Sequence, residues 1–326
     1  MSIPDLPPNT TLEGRSVLVT GANVGLGYAS ALKALQLGAS PVYITTRTAS
    51  KGSNARDSLL ADPVVKQRNP SAVVQAYELE MATWEGVTSF ANKFLADRKV
   101  AGETLDIAIL NAGIFNMGFE LAPTGNEAVL QVDYLSTALV ALLLLPLLES
   151  STTQEHTARL MIVSSTTHTY ENLLTVPFGD SNYIDSLSTK EAFSSPRQRY
   201  GLSKLLVVFF LRELSSRVSS DKVIINTVCP GMIKTELPRQ APWFIRPLMY
   251  VWYSLATNPV EKGADCYIHA VASVGKDSHG LWYQRMKLTP YADIVTNSEG
   301  EELQKRIWND TMQVLGRVVP GVGSDL

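Results

Sequence analysis

The sequence predicts a doubly wound α/β fold, a parallel sheet covered by helices on both faces. Three observations carry this reading. Short apolar segments rich in Val, Ile and Leu recur along the chain, helical patterns fill the gaps, and a glycine-rich turn joins the first segment to the first helix. Continuous rather than alternating apolar strands mark strands buried on both faces, as parallel sheets require. The intervening helices then serve as the crossover connections.

In chain order, residues 16–20 (SVLVT) form the first expected strand and 28–37 a helix stopping at Gly38. Residues 42–45 and 72–78 are the next strands, with 49–71 between them read as an extended loop. Strands at 105–110, 159–164 and 223–228 follow, and helical patterns cover 84–97, 126–148, 200–218 and 259–274. With no composition break and no internal repeat, one domain is expected over 14–284. An N-terminal arm (1–13) and a C-terminal extension (285–326) flank it. Within it lie an insertion at 166–199 and an irregular stretch punctuated by Pro238, Pro242, Pro247 and Pro259 around Trp243 and Phe244. Long segments of this kind in a compact domain usually serve function.

Composition narrows the possibilities. A net charge of −3 and an apolar content of 45% describe a globular chain with no pull toward nucleic acid or anionic membranes. Cys229 and Cys266 cannot build a disulfide framework, and His156, His168, His269 and His279 show no metal-ligand spacing, so no metal is expected. Residues 1–10 lack a basic start and an apolar run, so no leader is expected there. The most apolar run, 138–148, is about half the length a bilayer needs and reads as a core helix. A cytoplasmic, reducing environment is the expectation.

Tyr200 and Lys204 stand four residues apart, on one face of a helix. An ammonium beside a phenol favours the phenolate and is expected to pull its pKa from about 10 toward neutrality, making a general acid/base. The spacing alone is uninformative, since Tyr283 and Lys287 repeat it. That second pair, followed by Pro290, is expected at the surface beyond the sheet. The turn Gly21-Ala22-Asn23-Val24-Gly25-Leu26-Gly27 supplies context. Its glycines permit a tight turn and close backbone approach to a pyrophosphate, whose charge meets a helix N-terminus.

Three residues and then one between these glycines resembles the short-chain dehydrogenase/reductase family and its Rossmann-type sheet. Further stations follow in the same order: Asn111-Ala112-Gly113 after the fourth strand, Ser164-Ser165 after the fifth, Tyr200 and Lys204 opening the next long helix, and Cys229-Pro230-Gly231 with Thr235 after the sixth. The tail, with Asp277-Ser278-His279-Gly280 and Gly300-Glu301-Glu302-Leu303, resembles fungal retinol-dehydrogenase-like members. The resemblance implies Tyr200 as proton donor, Lys204 as its modulator and ribose ligand, and Ser165 as the group that fixes the substrate oxygen. It also implies cofactor contacts from Gly21, Asn23, Val24, Gly25, Leu26, Gly27, Asn111, Ala112, Gly113, Pro230, Gly231, Ile233 and Thr235. Glu80 stands where the family places an adenine contact. Where the family commonly has an asparagine in the long helix, helping to hold a proton-relay water, this chain has Asp133.

The second strand ends Ile44-Thr45-Thr46-Arg47, with no carboxylate for ribose hydroxyls and a guanidinium able to clamp a 2′-phosphate. NADP(H) is therefore the expected cofactor. The resulting expectation is an NADPH-dependent carbonyl reductase or alcohol dehydrogenase. Phe115, Met232, Trp243 and Phe244 suggest an apolar small-molecule substrate, and the resemblance of the tail implies a ketone of secondary metabolism. An isomerase or cyclase with altered chemistry at Asp133, and a non-catalytic nucleotide sensor or scaffold, are the alternatives. The apolar helices at 126–148 and 200–218, which form the dimer interface in the family, imply a homodimer.

Overall fold

The computed structural model describes residues 3–170, 173–174, 176–177, 179, 181–233 and 257–326. Eight strands form one sheet: β1 (Val17–Val19), β2 (Val42–Thr46), β3 (Val74–Glu78), β4 (Ile107–Leu110), β5 (Ala158–Val163), β6 (Val223–Cys229), β7 (Trp282–Gln284) and β8 (Lys287–Thr289). Their order is β3-β2-β1-β4-β5-β6-β7-β8, all parallel except β8, which returns antiparallel to β7. The order reverses between β1 and β4, and a crevice opens there at the carboxyl ends of the strands. The central strands β1, β2, β4 and β6 are buried at every position, as their unbroken apolar runs demand.

Helices α1 (Gly25–Gln36), α2 (Ala49–Ala61), α3 (Pro63–Arg68), α4 (Trp84–Ala101), α5 (Thr137–Ser151), α6 (Tyr183–Ser186), α7 (Pro196–Arg217), α8 (Val260–Ile268), α9 (Asp293–Thr296) and α10 (Ser298–Val318) cover the sheet and its edges. One apolar core joins α4, α5, α7 and α10 to one face, and a second joins α1 and α8 to the other.

Two expectations are corrected. The segment 49–71 is not an extended loop but the helix pair α2 and α3. Its helical signal lies in its ends: the Thr48 side chain accepts from the Lys51 N–H, and Asp62 Oδ1 accepts from Val64 and Val65 at 3.0 Å, with Pro63 in the first turn. The buried stripe of α2 is only Gly52, Ala55 and Leu59, too small to give a strong apolar period. The pair Tyr283 and Lys287 does not lie beyond the sheet but within its last two strands, and only Lys287 is at the surface. Tyr283 is buried in β7 opposite Val228 of β6, and Lys287 is exposed across a hairpin on β8. In a hairpin four residues of spacing bring no phenol and ammonium onto one face as a helix would.

The long apolar helix is irregular at its start. Leu130–Ser136 is a π-helical stretch that continues into α5. Such stretches shift the side chains that follow, and they recur at functional sites. The combined 22-residue helix is long and apolar enough to cross a membrane by composition, yet 83% of its most apolar window is buried inside the protein. It is a core helix.

Candidate active site

Two adjoining cavities lie at the carboxyl ends of the strands. The first, about 720 Å³, is bounded by the glycine turn, the end of β2 and the start of the segment after β4. The turn is built for close approach. A Cβ on Gly27 would sit 2.4 Å from the Gly21 carbonyl oxygen, so only glycine lets α1 begin against β1. Gly25, at φ +60°, has open space where a side chain would be. The α1 N-terminus receives no side-chain cap from Val24, and its first turn carries no acidic residue. Its free amide groups, beside an open cradle, suit the negative charge of a pyrophosphate. Thr46, Arg47 and Lys51 border the same cavity, and Glu78 of β3, registered against Thr46, accepts from the Ala49 N–H at 2.6 Å beside it. The glycine turn and the α1 N-terminus therefore fit the pyrophosphate of a dinucleotide. Glu80 is also on this wall, though its Oε1 already accepts from the Ala82 N–H at 2.9 Å.

The Asn111 side chain ties the strands together. Its Nδ2 donates to the Thr20 carbonyl at 2.9 Å, and its Oδ1 accepts from the Tyr267 hydroxyl at 3.2 Å. Asn111, Gly113, Ile114 and Leu26 border both cavities.

The second cavity, about 700 Å³, holds Ser165, Tyr200, Lys204 and Asp133, with Pro230, Gly231 and Ile233 on its far wall. The Ser195 side chain caps α7, with Pro196 in its first turn. Tyr200 and Lys204 follow on the cavity side, with the Lys204 Nζ 5.4 Å from the Tyr200 ring centroid. The Ser165 side chain faces the same cavity as the Tyr200 phenol. The Ser165 side-chain oxygen accepts from Thr167 N–H at 3.2 Å, capping the short turn that ends β5. Ser164 lines the cavity too, buried, its hydroxyl without a hydrogen-bond partner among the described residues. Phe115 packs edge-on against Tyr200 at 5.7 Å, and the remaining walls are largely apolar.

Asp133 enters this cavity from the π-helical stretch. Its Oδ2 lies 3.1 Å from Lys204 Nζ, and its Oδ1 accepts from Ile114 N–H at 2.7 Å. The carboxylate is 1% exposed and Lys204 is 4% exposed, so the two form a buried ion pair. Burial pushes the Asp133 carboxyl up from its ordinary value, against the opposing pull of Lys204 and the Ile114 N–H. For Lys204 burial acts to lower the pKa, but the charge of Asp133 and its neighbours outweighs that and raises it, holding the ammonium. For Tyr200 the expected fall is reversed. Burial raises its pKa more than Lys204 and the Ser165 hydroxyl lower it, and Asp133 raises it further. The ammonium's influence is partly cancelled by the carboxylate paired to it.

Every expected site residue in the described part borders one or other cavity apart from Gly25. Thr235, Trp243 and Phe244 lie outside the described residues. Sequence reasoning passed over Lys51 and Tyr267. Lys51 sits in the first turn of α2, a segment read as loop, and the Tyr267 contact with Asn111 joins residues 156 apart in the chain. Among the described residues no group of three or more His, Cys, Asp or Glu could hold a metal ion.

The model of the short chain dehydrogenase family matches residues 15–181. A short chain dehydrogenase of Arthrobotrys oligospora is 38% identical over 320 residues, covering 98% of this chain and 97% of its own length. The chain belongs to the short-chain dehydrogenase/reductase family. It is thereby an oxidoreductase of CH–OH and carbonyl groups, in a family that uses NAD(P)(H). Other fungal members are also similar. The short chain dehydrogenase yanD of Aspergillus niger is 33% identical over 97% of this chain and 95% of its own. Among solved structures, L-sorbose reductase of Gluconobacter frateurii, complexed with NADPH and L-sorbose, superposes with a TM-score of 0.63 at 17% identity. That match covers 85% of this chain and 96% of the reductase. Angucycline C-6 ketoreductase LanV with bound NADP gives a TM-score of 0.62 at 20% identity, over 85% of this chain and 95% of its own. At these identities the likeness is one of fold.

Proposed function

We propose that this protein is an NADPH-dependent carbonyl reductase acting on an apolar ketone or aldehyde of secondary metabolism. The observation that carries the reading is the convergence of Ser165, Tyr200, Lys204 and Asp133 on one apolar cavity beside the dinucleotide cleft. Bound NADPH supplies the hydride. Tyr200 keeps its proton at neutral pH, because burial holds its pKa up, and so donates it to the carbonyl oxygen as charge develops there. Ser165 donates a hydrogen bond to the same oxygen and fixes its position. Lys204, held charged by Asp133, stabilises the phenolate that remains and orients the nicotinamide ribose. Arg47, with Lys51 beside it, binds the 2′-phosphate at the end of β2.

An apolar substrate is supported by the cavity lining and by Phe115 and Met232, which are 37% and 47% exposed. A secondary-metabolite ketone is supported by the fungal relatives. A cytoplasmic location accords with two buried free cysteines. Asp133 argues against isomerase or cyclase chemistry, since both its oxygens are engaged, one by Lys204 and one by the Ile114 amide. A non-catalytic scaffold gives no reason to keep all four groups together.

The test is a screen of apolar ketones and aldehydes, following NADPH oxidation, with Tyr200→Phe alongside. Turnover should fall by about 10²–10⁴-fold while NADPH affinity stays near that of the wild type. Retained turnover in Tyr200→Phe would remove the phenol from its role.

A further inference from the structure

Asp133 and Lys204 meet across two elements, the π-helical stretch and α7, and a second buried ion pair joins the same two parts of the chain. We propose that this second pair, Glu127 and Arg199, consists of positioning residues that fix the register in which Asp133 meets Lys204. The proposal rests on the reductase reading above. Neither residue borders either cavity, so both act through others.

The pair lies deep in the protein. Its side chains are 0% and 1% exposed, with Arg199 Nε 3.7 Å from Glu127 Oε2. Taking two charges out of water offsets much of what their attraction returns, so such a pair is a weak source of stability. Its hydrogen bonds run instead to the backbone of the segments that must be held in register.

Glu127 closes the start of the run that carries Asp133. Its Oε2 accepts from the Leu130 N–H at 2.9 Å, and its carbonyl accepts from the Gln131 N–H at 2.8 Å. Leu130 and Gln131 open the π-helical stretch. Arg199 directly precedes Tyr200 in α7. Its Nη2 donates to the Leu187 and Ala192 carbonyls at 2.9 and 3.0 Å, and its guanidinium lies 5.7 Å from the Phe193 ring centroid. One side chain thus ties the catalytic helix to the segment before it and, through Glu127, to the segment bearing Asp133.

Arg199 and Lys204 stand about 7 Å apart along α7, from the rise of a helix. A slide of the π-helical stretch against α7 therefore strains both ion pairs at once. The negative charge of Asp133 acts on Glu127, so the two carboxylates repel and the two cations of α7 hold them in place. The Tyr183 phenol also faces Arg199. Misplacement of a catalytic group by about 1 Å is enough to cost up to about 100-fold in rate.

The test compares Glu127→Gln, Arg199→Met, Arg199→Lys and the double variant Glu127→Gln/Arg199→Met, all in the full chain. Ketone reduction and melting curves are measured on each, and a crystal structure is solved for the double variant. In Glu127→Gln and Arg199→Met, kcat should fall about 10–100-fold, with the KM for NADPH near that of the wild type. Arg199→Lys keeps the charge and should recover part of the loss. The double variant leaves no buried charge alone at this pair, and Gln can still accept from the Leu130 N–H. Its melting temperature should return toward wild type, while kcat stays low and Asp133 has left its 3.1 Å contact with Lys204. Recovery of kcat along with the melting temperature, or an unmoved Asp133–Lys204 contact, overturns the proposal. Should the double variant be insoluble, Glu127→Gln alone supplies the structure. A wild type that reduces no ketone fails the reductase reading, and the position of Asp133 in the variant still decides this one.

Discussion

Replacing Asp133 by Asn preserves the size of the side chain and one acceptor oxygen, removes the charge beside Lys204, and turns an amide NH2 toward the ammonium in place of the acceptor Oδ2. At the 3.1 Å separation of the pair, the Coulomb attraction at an effective dielectric of 20 is about 5 kcal/mol. Relief from burying a carboxylate offsets several kcal/mol of that, while breaking a buried pair from one side leaves an uncompensated charge. Asn can still accept from the Ile114 N–H through its oxygen. The expected net loss is about 2–4 kcal/mol, seen as a fall in melting temperature of roughly 5–15 °C. The kinetic consequence follows from Lys204. Its pKa is raised in the wild type by Asp133, so its ammonium persists through the alkaline range. Without the carboxylate burial prevails and the ammonium is lost at lower pH. Carbonyl reduction by Asp133→Asn should stay within about tenfold of wild type near neutrality. Its kcat/KM should decline on the alkaline side at lower pH than in the wild type. A pH series of NADPH oxidation, with melting curves on the same samples, reads both effects. Unchanged stability together with an unchanged pH profile would refute the ion-pair argument. Loss of turnover at every pH with NADPH affinity intact would mean that the carboxylate takes part in the chemistry.

Arg47→Ala should raise the KM for NADPH by about 10–100-fold, the worth of a charge-assisted contact, and leave that for NADH nearly unchanged in steady-state assays. Arg285 and Met286, at φ +52° and +64°, form the hairpin tip between β7 and β8 in a conformation that disfavours both residues. Met286→Gly should stabilise by about 0.5–1 kcal/mol, less than the full strain because glycine loses more freedom on folding, readable in chemical denaturation. His168, buried against Trp282 at 4.5 Å, has its pKa lowered by burial despite its bond to the Ser165 carbonyl. The folded protein therefore binds fewer protons than the unfolded chain just below pH 6.5. The stability due to a neutral His168 is complete above that value and is lost as pH falls toward the folded pKa. Stability should rise with pH in that window, with a slope below the one-proton ceiling of about 1.4 kcal/mol per pH unit, and the slope should flatten in His168→Gln.

Much of this protein was written in its sequence. The strands at β1, β2, β4, β5 and β6 announce themselves because a strand buried on both faces must be apolar throughout. The glycine turn is equally legible, since close backbone approach leaves glycine no substitute. The order of Asn111, Ser165, Tyr200, Lys204 and Pro230 let the sequence bring them to one cavity, because each follows a strand end or lies near the start of a helix. Helices α2 and α3 were missed where capping, which is a matter of a few hydrogen bonds, carried more signal than apolar period.

Other features belong to the tertiary structure alone. Whether Asp133 meets Lys204 depends on the π-helical stretch, which no spacing rule reveals, and on a distance between residues 71 positions apart. The direction of the Tyr200 pKa depends on how far burial outweighs a paired ammonium, and burial is a property of the folded surroundings. The apolar helices 126–148 and 200–218 looked from sequence like surfaces awaiting a partner. Sequence counts how much apolar surface must be covered; only the packed chain decides that Trp308 of α10 stacks on Phe210 of α7.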